Sequence, residues 1–226
     1  MTTDDNLYVY QHLGLGDHIM CCSLIRELSK KYETISLFVK KHNYFSVKNM
    51  FDDLNISLIT VNNDSEVRKF ISGKNNVLKI GHEFLDEHKN LDISFYEQLG
   101  YNINLKWTEF HVNRNHEKEK ELFQHFYIKE KEYIFVHEDI NRKYIINKNF
   151  LPQGYPHIRP EADLTNNIFD YLYLIENAKE IHCIPSSFMF IVDCMKIKTE
   201  KNVVHKYSRP YIGVDVPTLN NEWIIL

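Results

Sequence analysis

Short apolar runs alternate with longer amphipathic stretches along this chain. Leu7-Tyr8-Val9-Tyr10 has the length and composition of a buried strand, and from Asp17 to Lys31 the residues Ile19, Met20, Cys22, Leu24, Ile25 and Leu28 recur at helical spacing. Further strand-like runs follow at Ile35 to Val39, Ile56 to Val61 and Asn76 to Ile80. Between them, His42 to Leu54 carries Phe45, Val47, Met50, Phe51 and Leu54 on one helical side, and Ser65 to Ile71 reads as a short helix with a Ser65 cap and Glu66 in its first turn. Ser94 to Tyr101 reads as a helix closed by Gly100, and Trp107, Phe110 and Val112 as a strand-like run. Strands that alternate with helices predict parallel β-α units.

The same alternation restarts after a polar, charged stretch, Asn113 to Lys120, which leads into a helix with Leu122, Phe123 and Phe126. Tyr133 to His137 is a continuous apolar strand, and His157 and Arg159 sit in a possible short one. Ile168 to Ala178 is an amphipathic helix, followed by a strand at Glu180 to Ile184 and an apolar helix from Phe188 to Met195. Val203 to Arg209 reads as a late strand with a basic end, and Glu222 to Leu226 as a small strand or docked tail. The expected fold is α/β, with two Rossmann-like domains at 1–112 and 113–226. The alternative for the charged stretch is a solvated helix within one domain.

Two strand-to-helix junctions carry candidate chemistry. At the first, Gly14 and Gly16 make a turn between the opening strand and a helix, followed by Asp17, His18 and Ile19. A helix N-terminus there turns backbone N–H groups and a positive dipole toward whatever sits above the sheet. Asp17 fits either a helix cap or a base facing a substrate. A dinucleotide fingerprint does not fit, because Ile19 stands where the third glycine or alanine belongs and Lys40-Lys41 where a ribose-binding acid belongs. At the second, Pro185-Ser186-Ser187 opens the apolar helix, and the pair reads as ordinary capping or as a phosphate site. Arg142 follows the strand that ends at His137, after Glu138 and Asp139, and is either an anion ligand or one side of a surface salt bridge.

Composition narrows the class. With 226 residues and 43% hydrophobic content the chain can bury a core, and a net charge of −4 argues against general nucleic-acid binding. Ala162 and Ala178 are the only alanines, a bias that points to an AT-rich genome. Cys21, Cys22, Cys183 and Cys194 lie in apolar segments without C-x-x-C spacing, so buried free thiols and a cytoplasmic compartment are expected. No secretory signal or membrane-spanning run is apparent. The twelve histidines do not form a metal motif: His82-Glu83 is followed by His88, which is not at the i+4 position a zinc helix needs. No metal site is expected.

The stretch Leu13-Gly14-Leu15-Gly16-Asp17-His18-Ile19 resembles the G-x-G-D-hydrophobic opening of the heptosyltransferase superfamily and the glycine-rich start of related fucosyltransferases. Glu180 to Phe188 resembles their late strand-to-helix step, and Tyr133 to Asp139 with Arg142 the opening of their donor domain. Phe95 to Gly100, Phe169-Asp170-Tyr171 and His205 to Arg209 resemble segments of small sugar-transferase-like proteins of viruses and bacteria. The resemblance implies a GT-B glycosyltransferase, in which two Rossmann-like domains face a cleft, the acceptor on the first and the nucleotide-sugar donor on the second. It implies Asp17 as the base of an inverting, metal-independent transfer. It also implies Arg142, Ser186, Ser187, His205, Arg209 and His137 around the donor, and Gly14, Gly16 and His18 in the acceptor-side loop. The nucleotide sugar would be a co-substrate, with no bound cofactor, and a glycan or other hydroxyl the acceptor. No Arg-Arg pair accompanies His137, which argues against a GDP-fucose donor. Two rival classes are an NAD-dependent nucleotide-sugar modifying enzyme, for which Tyr127/Lys131 and Tyr144/Lys148 have Tyr-x-x-x-Lys spacing, and a non-catalytic glycan- or nucleotide-binding module.

Overall fold

Leu7, Val9 and Tyr10 are buried in the first strand, β1 (Asn6–Tyr10), which lies inside a sheet with neighbours on both sides. The computed structural model describes residues 6–81, 90–128, 132–161, 163–209, 217–220 and 222–226. The chain divides into two compact units, Met1–Asn113 and Arg114–Leu226. The first unit runs β1, α1 (Leu15–Met20), α2 (Cys22–Ser29), β2 (Thr34–Lys40), α3 (Tyr44–Met50), β3 (Ile56–Val61), α4 (Asp64–Ile71), β4 (Val77–Lys79), α5 (Leu91–Gln98) and α6 (Leu105–Thr108). Its strands are all parallel, in the order β3-β2-β1-β4, with Leu7 opposite Ile35 and Val9 opposite Leu78. One core cluster packs Tyr10, Leu13, Phe38, Val61, Val67 and Ile71 together.

Three local expectations need correction. The single helix from Asp17 to Lys31 is two, which meet at Cys21 (φ −88°, ψ 0°), the C-cap of α1 and the N-cap of α2. Both segments bury the same apolar face, so the periodicity runs through the break. The cap of α4 is Asn63, whose side chain accepts from the N–H groups of Ser65 and Glu66, while Glu66 reaches back to the Asn62 N–H. The run at Trp107 to Val112 is not a strand: residues 105–108 form α6, set off by an Asn104 N–H bond to Asn102 Oδ1. Trp107 and Val112 are buried all the same, and apolar spacing this short does not separate strand from helix.

The second unit runs α7 (His116–His125), β5 (Ile134–His137), β6 (His157–Ile158), α8 (Leu172–Glu176), β7 (Glu180–Cys183), α9 (Ser187–Cys194), β8 (Lys201–Val204) and β9 (Trp223–Ile225). Its strands are again all parallel, in the order β6-β5-β7-β8-β9. A 3-10 turn, Ile168–Tyr171, precedes α8 inside the expected helix. The late strand stops at Val204, and Lys206–Ser208 form a 3-10 turn. Buried Asp193 on α9 draws the C-terminal segment in, since its Oδ1 accepts from the Asn220 N–H at 2.8 Å and the Trp223 indole at 3.3 Å. Ile134, Val136, Ile146, Leu151 and Ile184 form a core cluster over which Tyr144 and Tyr155 pack.

Each sheet reverses its strand order once. In the first unit the chain leaves β1 toward β2 and β3, then crosses back to β4. In the second it leaves β5 toward β6, then crosses back to β7. Open α/β sheets hold ligands outside the carboxyl ends of the strands at such reversals.

Candidate functional site

The reversal point of the first unit is built by the glycine turn. His12, past the end of β1, bonds through Nε2 to the Gly81 carbonyl beyond β4 at 2.9 Å, and its ring stacks on Phe95. Gly81 has φ +75°, and a Cβ there would run into the Phe95 ring, so both conformation and space require glycine. Asn43 donates to the Leu13 carbonyl at 3.2 Å and fastens the turn. Gly14 is the N-cap of α1 and brings no side chain to cap it, and Gly16 and Asp17 lie in the first turn. The Asp17 carboxylate folds back over Gly14, because a Cβ on Gly14 would collide with Asp17 Oδ2. Asp17 is thus not itself the N-cap residue; it stands in the first turn of α1 with its carboxylate turned back toward Gly14. His18 is 0% exposed and bonds through Nδ1 to Gln11 Nε2 at 2.6 Å, and burial pushes its imidazole down to about 3. It is a neutral core residue, not a loop residue open to an acceptor. His18 Nε2 and Gln11 Oε1 are buried without hydrogen-bond partners.

The reversal point of the second unit gathers most of the donor-side candidates. His137, at the end of β5, bonds through Nδ1 to Ser186 Oγ at 2.9 Å, and its ring lies 4.5 Å from that of Phe188. Ser186 occupies the N-cap position of α9, but its hydroxyl goes to His137 and no side chain caps the helix. Half-buried Ser187 begins α9 itself. Burial lowers His137 to about 4; Asp139 and Glu138 oppose the shift, and Arg142 and Arg209 add to it. His137 is thus neutral and within the fields of both guanidinium groups.

Arg142 is aimed by a small closed loop. Asp139 and Tyr144 exchange backbone hydrogen bonds of 2.9 Å each, and Lys143 takes a left-handed conformation (φ +61°) to close the turn. Asp139 accepts from the Arg142 N–H at 2.9 Å and from Nε at 2.6 Å. Burial raises the Asp139 carboxyl, but these two bonds outweigh it and hold the group below its usual range. Arg142 therefore makes the local salt bridge with its side chain still 58% exposed, so that pairing leaves an exposed guanidinium. Arg209 comes from the turn after β8, and its Nη1 donates to the Pro185 carbonyl at 2.6 Å. Both guanidiniums lie over the Tyr144 ring, at 5.5 Å for Arg142 and 5.6 Å for Arg209. Two positive groups thus converge beside the start of α9.

His205 is not a third cation. It is 0% exposed, both ring nitrogens are hydrogen-bonded, and burial lowers it to about 4. Residues without an obvious sequence signal complete the edge. Asn147 donates its N–H to Tyr207 Oη at 2.9 Å, Ser208 Oγ donates to the Ile145 carbonyl, and Glu138 binds Arg159 and the Ile146 N–H. Tyr144 is the one that spacing could have flagged, as an aromatic within two residues of Arg142. Among the described residues no group of three His, Cys, Asp or Glu side chains could hold a metal ion. The His82-Glu83 and His88 group lies outside them, as do Lys131 and Ala162. Tyr144 and Lys148 do not share a helix, which removes the structural context of a Tyr-x-x-x-Lys pair. All four cysteines are free and buried, and no described helix is long and apolar enough to cross a membrane.

With both reversal points defined, solved structures give a point of reference. The chain is similar to the glycosyl transferase family 9 protein from Veillonella parvula DSM 2008, with a TM-score of 0.60 and 14% identity, covering 100% of this chain and 88% of that one. The shared feature is the fold. Two successive Rossmann-like α/β units with parallel sheets are the parts of a GT-B-like chain. No family model matches the sequence, and no curated protein matches it.

Proposed function

We propose that the chain is a glycosyltransferase that moves a sugar from a nucleotide-sugar donor to a hydroxyl acceptor such as a glycan. The observation that carries this reading is the convergence of Arg142 and Arg209 on Tyr144, next to a helix start whose N-cap serine is turned away to His137. Guanidinium forks and helix N-terminal N–H groups suit the two phosphates of a nucleoside diphosphate. They also favour its departure, because they stabilise the charge that grows on the leaving group. The fold likeness to a family 9 glycosyl transferase supports the same chemistry.

On this reading the second unit holds the donor and the first the acceptor. Asp17 takes the proton of the attacking hydroxyl as the bond from the sugar to the diphosphate breaks on the opposite face, which inverts the anomeric centre. Its carboxylate is carried by the first turn of α1 and lies against Gly14. His137 and Ser186 shape the donor pocket as neutral groups, and His205 and His18 act from within the core.

The test is donor turnover with Asp17→Asn. The variant is expected to bind nucleotide sugar as the wild type does and to lose at least about a hundredfold in transfer and donor hydrolysis, the scale of a general base. Full turnover in Asp17→Asn would remove Asp17 from this role. Donor binding without any cleavage by the wild type would identify a binding module instead.

A further inference from the structure

Beneath the loops of the second unit, on one face of its sheet, runs a buried chain of polar groups that the transfer chemistry does not use. Glu180 and His182 are two residues apart on β7 and therefore point to the same face. They are 5% and 3% exposed, and His205, just past β8, is fully buried. Lys201 Nζ donates to Glu180 Oε1 at 3.0 Å, and Glu180 Oε2 lies 3.1 Å from His182 Nε2. His182 Nδ1 lies 3.0 Å from His205 Nε2, and His205 Nδ1 lies 3.2 Å from Tyr207 Oη, which accepts from the Asn147 N–H at 2.9 Å. Two histidine rings stack in the middle, 5.2 Å apart.

The sense of every bond follows from the carboxylate end. Burial raises Glu180, but the bonds from His182 and Lys201 outweigh it and keep the group below its usual range, so it is ionised. A carboxylate only accepts, so His182 Nε2 carries the proton and donates. The neutral His182 ring then accepts at Nδ1, which makes His205 Nε2 the donor. His205 in turn accepts at Nδ1, so the Tyr207 hydroxyl gives its proton inward. Its oxygen receives the Asn147 N–H. Every member is satisfied in this one arrangement, and a fully satisfied buried network specifies geometry.

We propose that Tyr207 is a positioning residue of the ligand site: the Glu180–His182–His205 chain holds its hydroxyl proton inward, and its oxygen, bonded to Asn147, ties the loop that carries Arg142 to the turn that carries Arg209. This rests on the reading that the two guanidiniums bind a diphosphate. The chain acts through Tyr207, which stands 44% exposed at the carboxyl edge with Phe150 against its ring.

The device has a pH sign. Burial is the main cause lowering both histidines; on His205, His182 adds to the lowering and Glu138 opposes it. On His182, Glu180 opposes it while His157 and Lys201 add to it. Both rings are neutral at pH 7. A proton that enters in acid puts an N–H on His205 Nδ1, facing the Tyr207 O–H, and the hydroxyl must turn outward. Ligand grip is therefore full above the ordinary histidine range and falls as pH approaches about 4, the value for His205.

Two measurements on the full chain test this. In ¹⁵N-histidine NMR, His182 at pH 8 to pH 7 and His205 from pH 8 to pH 5 are expected as neutral Nε2–H tautomers; an Nδ1–H tautomer of either, or protonation of His205 near pH 6, overturns the proposal. Inorganic pyrophosphate binding is the second. Tyr207→Phe keeps the ring and removes the hydroxyl, and is expected to weaken binding about tenfold, the scale of one hydrogen bond. The variant should also lose the acid limb of the affinity profile, which a merely structural change would leave in place. Binding and pH profile unchanged in Tyr207→Phe overturn the proposal alone. Failure of the wild type to bind pyrophosphate overturns the guanidinium reading, and the proposal with it, even where the tautomers are as expected.

Discussion

Acidification should destabilise both units well above the range in which carboxylates protonate, and three histidines carry most of the effect. His18, His137 and His205 are neutral rings, lowered by burial to about 3 for His18 and to about 4 for the other two. In the unfolded chain each returns to about 6.5. A group whose folded value is depressed contributes stability that is present above the unfolded value and is lost as pH falls toward the folded one. Between pH 7 and pH 5 each unfolded histidine gains most of a proton and each folded one almost none. The loss is about 2 kcal/mol per histidine, a large share of a domain's typical 5–15 kcal/mol. His18 belongs to the first unit and His137 and His205 to the second, so both should weaken, the second about twice as much. Urea unfolding at pH 7, 6 and 5 measures this. The chain has two tryptophans, Trp107 in the first unit and Trp223 in the second, so fluorescence of single Trp→Phe variants reads each unit alone. His18→Met should flatten the decline in the first unit by about 2 kcal/mol and leave the second unchanged. A first unit equally acid-sensitive with and without His18 would refute the reasoning. The same neutrality bears on the proposed function, since the positive charge at the proposed donor site then comes from arginine.

Other perturbations separate stability from binding. Arg142→Ala removes an exposed side chain whose pair with Asp139 contributes at most about 1 kcal/mol to folding, and should cost nucleotide affinity about 1.5–3 kcal/mol by titration calorimetry. Asp92 and Lys106 form a fully buried ion pair at 3.0 Å; Asp92→Ala strips Lys106 of that carboxylate and should cost about 3–5 kcal/mol in urea unfolding. Gly14→Ala has an ordinary backbone angle (φ −72°) but pushes the Asp17 carboxylate aside, so it should fold and bind donor while transfer rate drops.

Much of the fold was legible because its signals are local. Apolar runs marked β1, β2, β3, β5 and β7, and the Gly14–Gly16 turn and the Pro185-Ser186-Ser187 step marked the two junctions. What escaped depended on partners distant in sequence. The serine pair at 186–187 read as a cap or a phosphate site, yet Ser186 bonds to His137, 49 positions away. His18 sits in the same turn as Asp17 and looked like a loop residue, but the first turn of α1 rotates it into the core. His205 looked like a basic group at a strand end, and only the pairing of β7 with β8 sets it beside His182. Helix interruptions such as Cys21 escaped because the apolar face continues through them.

The most direct test of the central claim is a thermal-shift panel of nucleoside diphosphates, nucleotide sugars and NAD on the wild type and on Arg142→Ala. At about 100 times its dissociation constant, a ligand adds about 2.7 kcal/mol of stability. Stabilisation by a nucleotide sugar and its diphosphate is expected, largely lost in Arg142→Ala. Stabilisation by NAD alone, or equal stabilisation of both proteins, would contradict it.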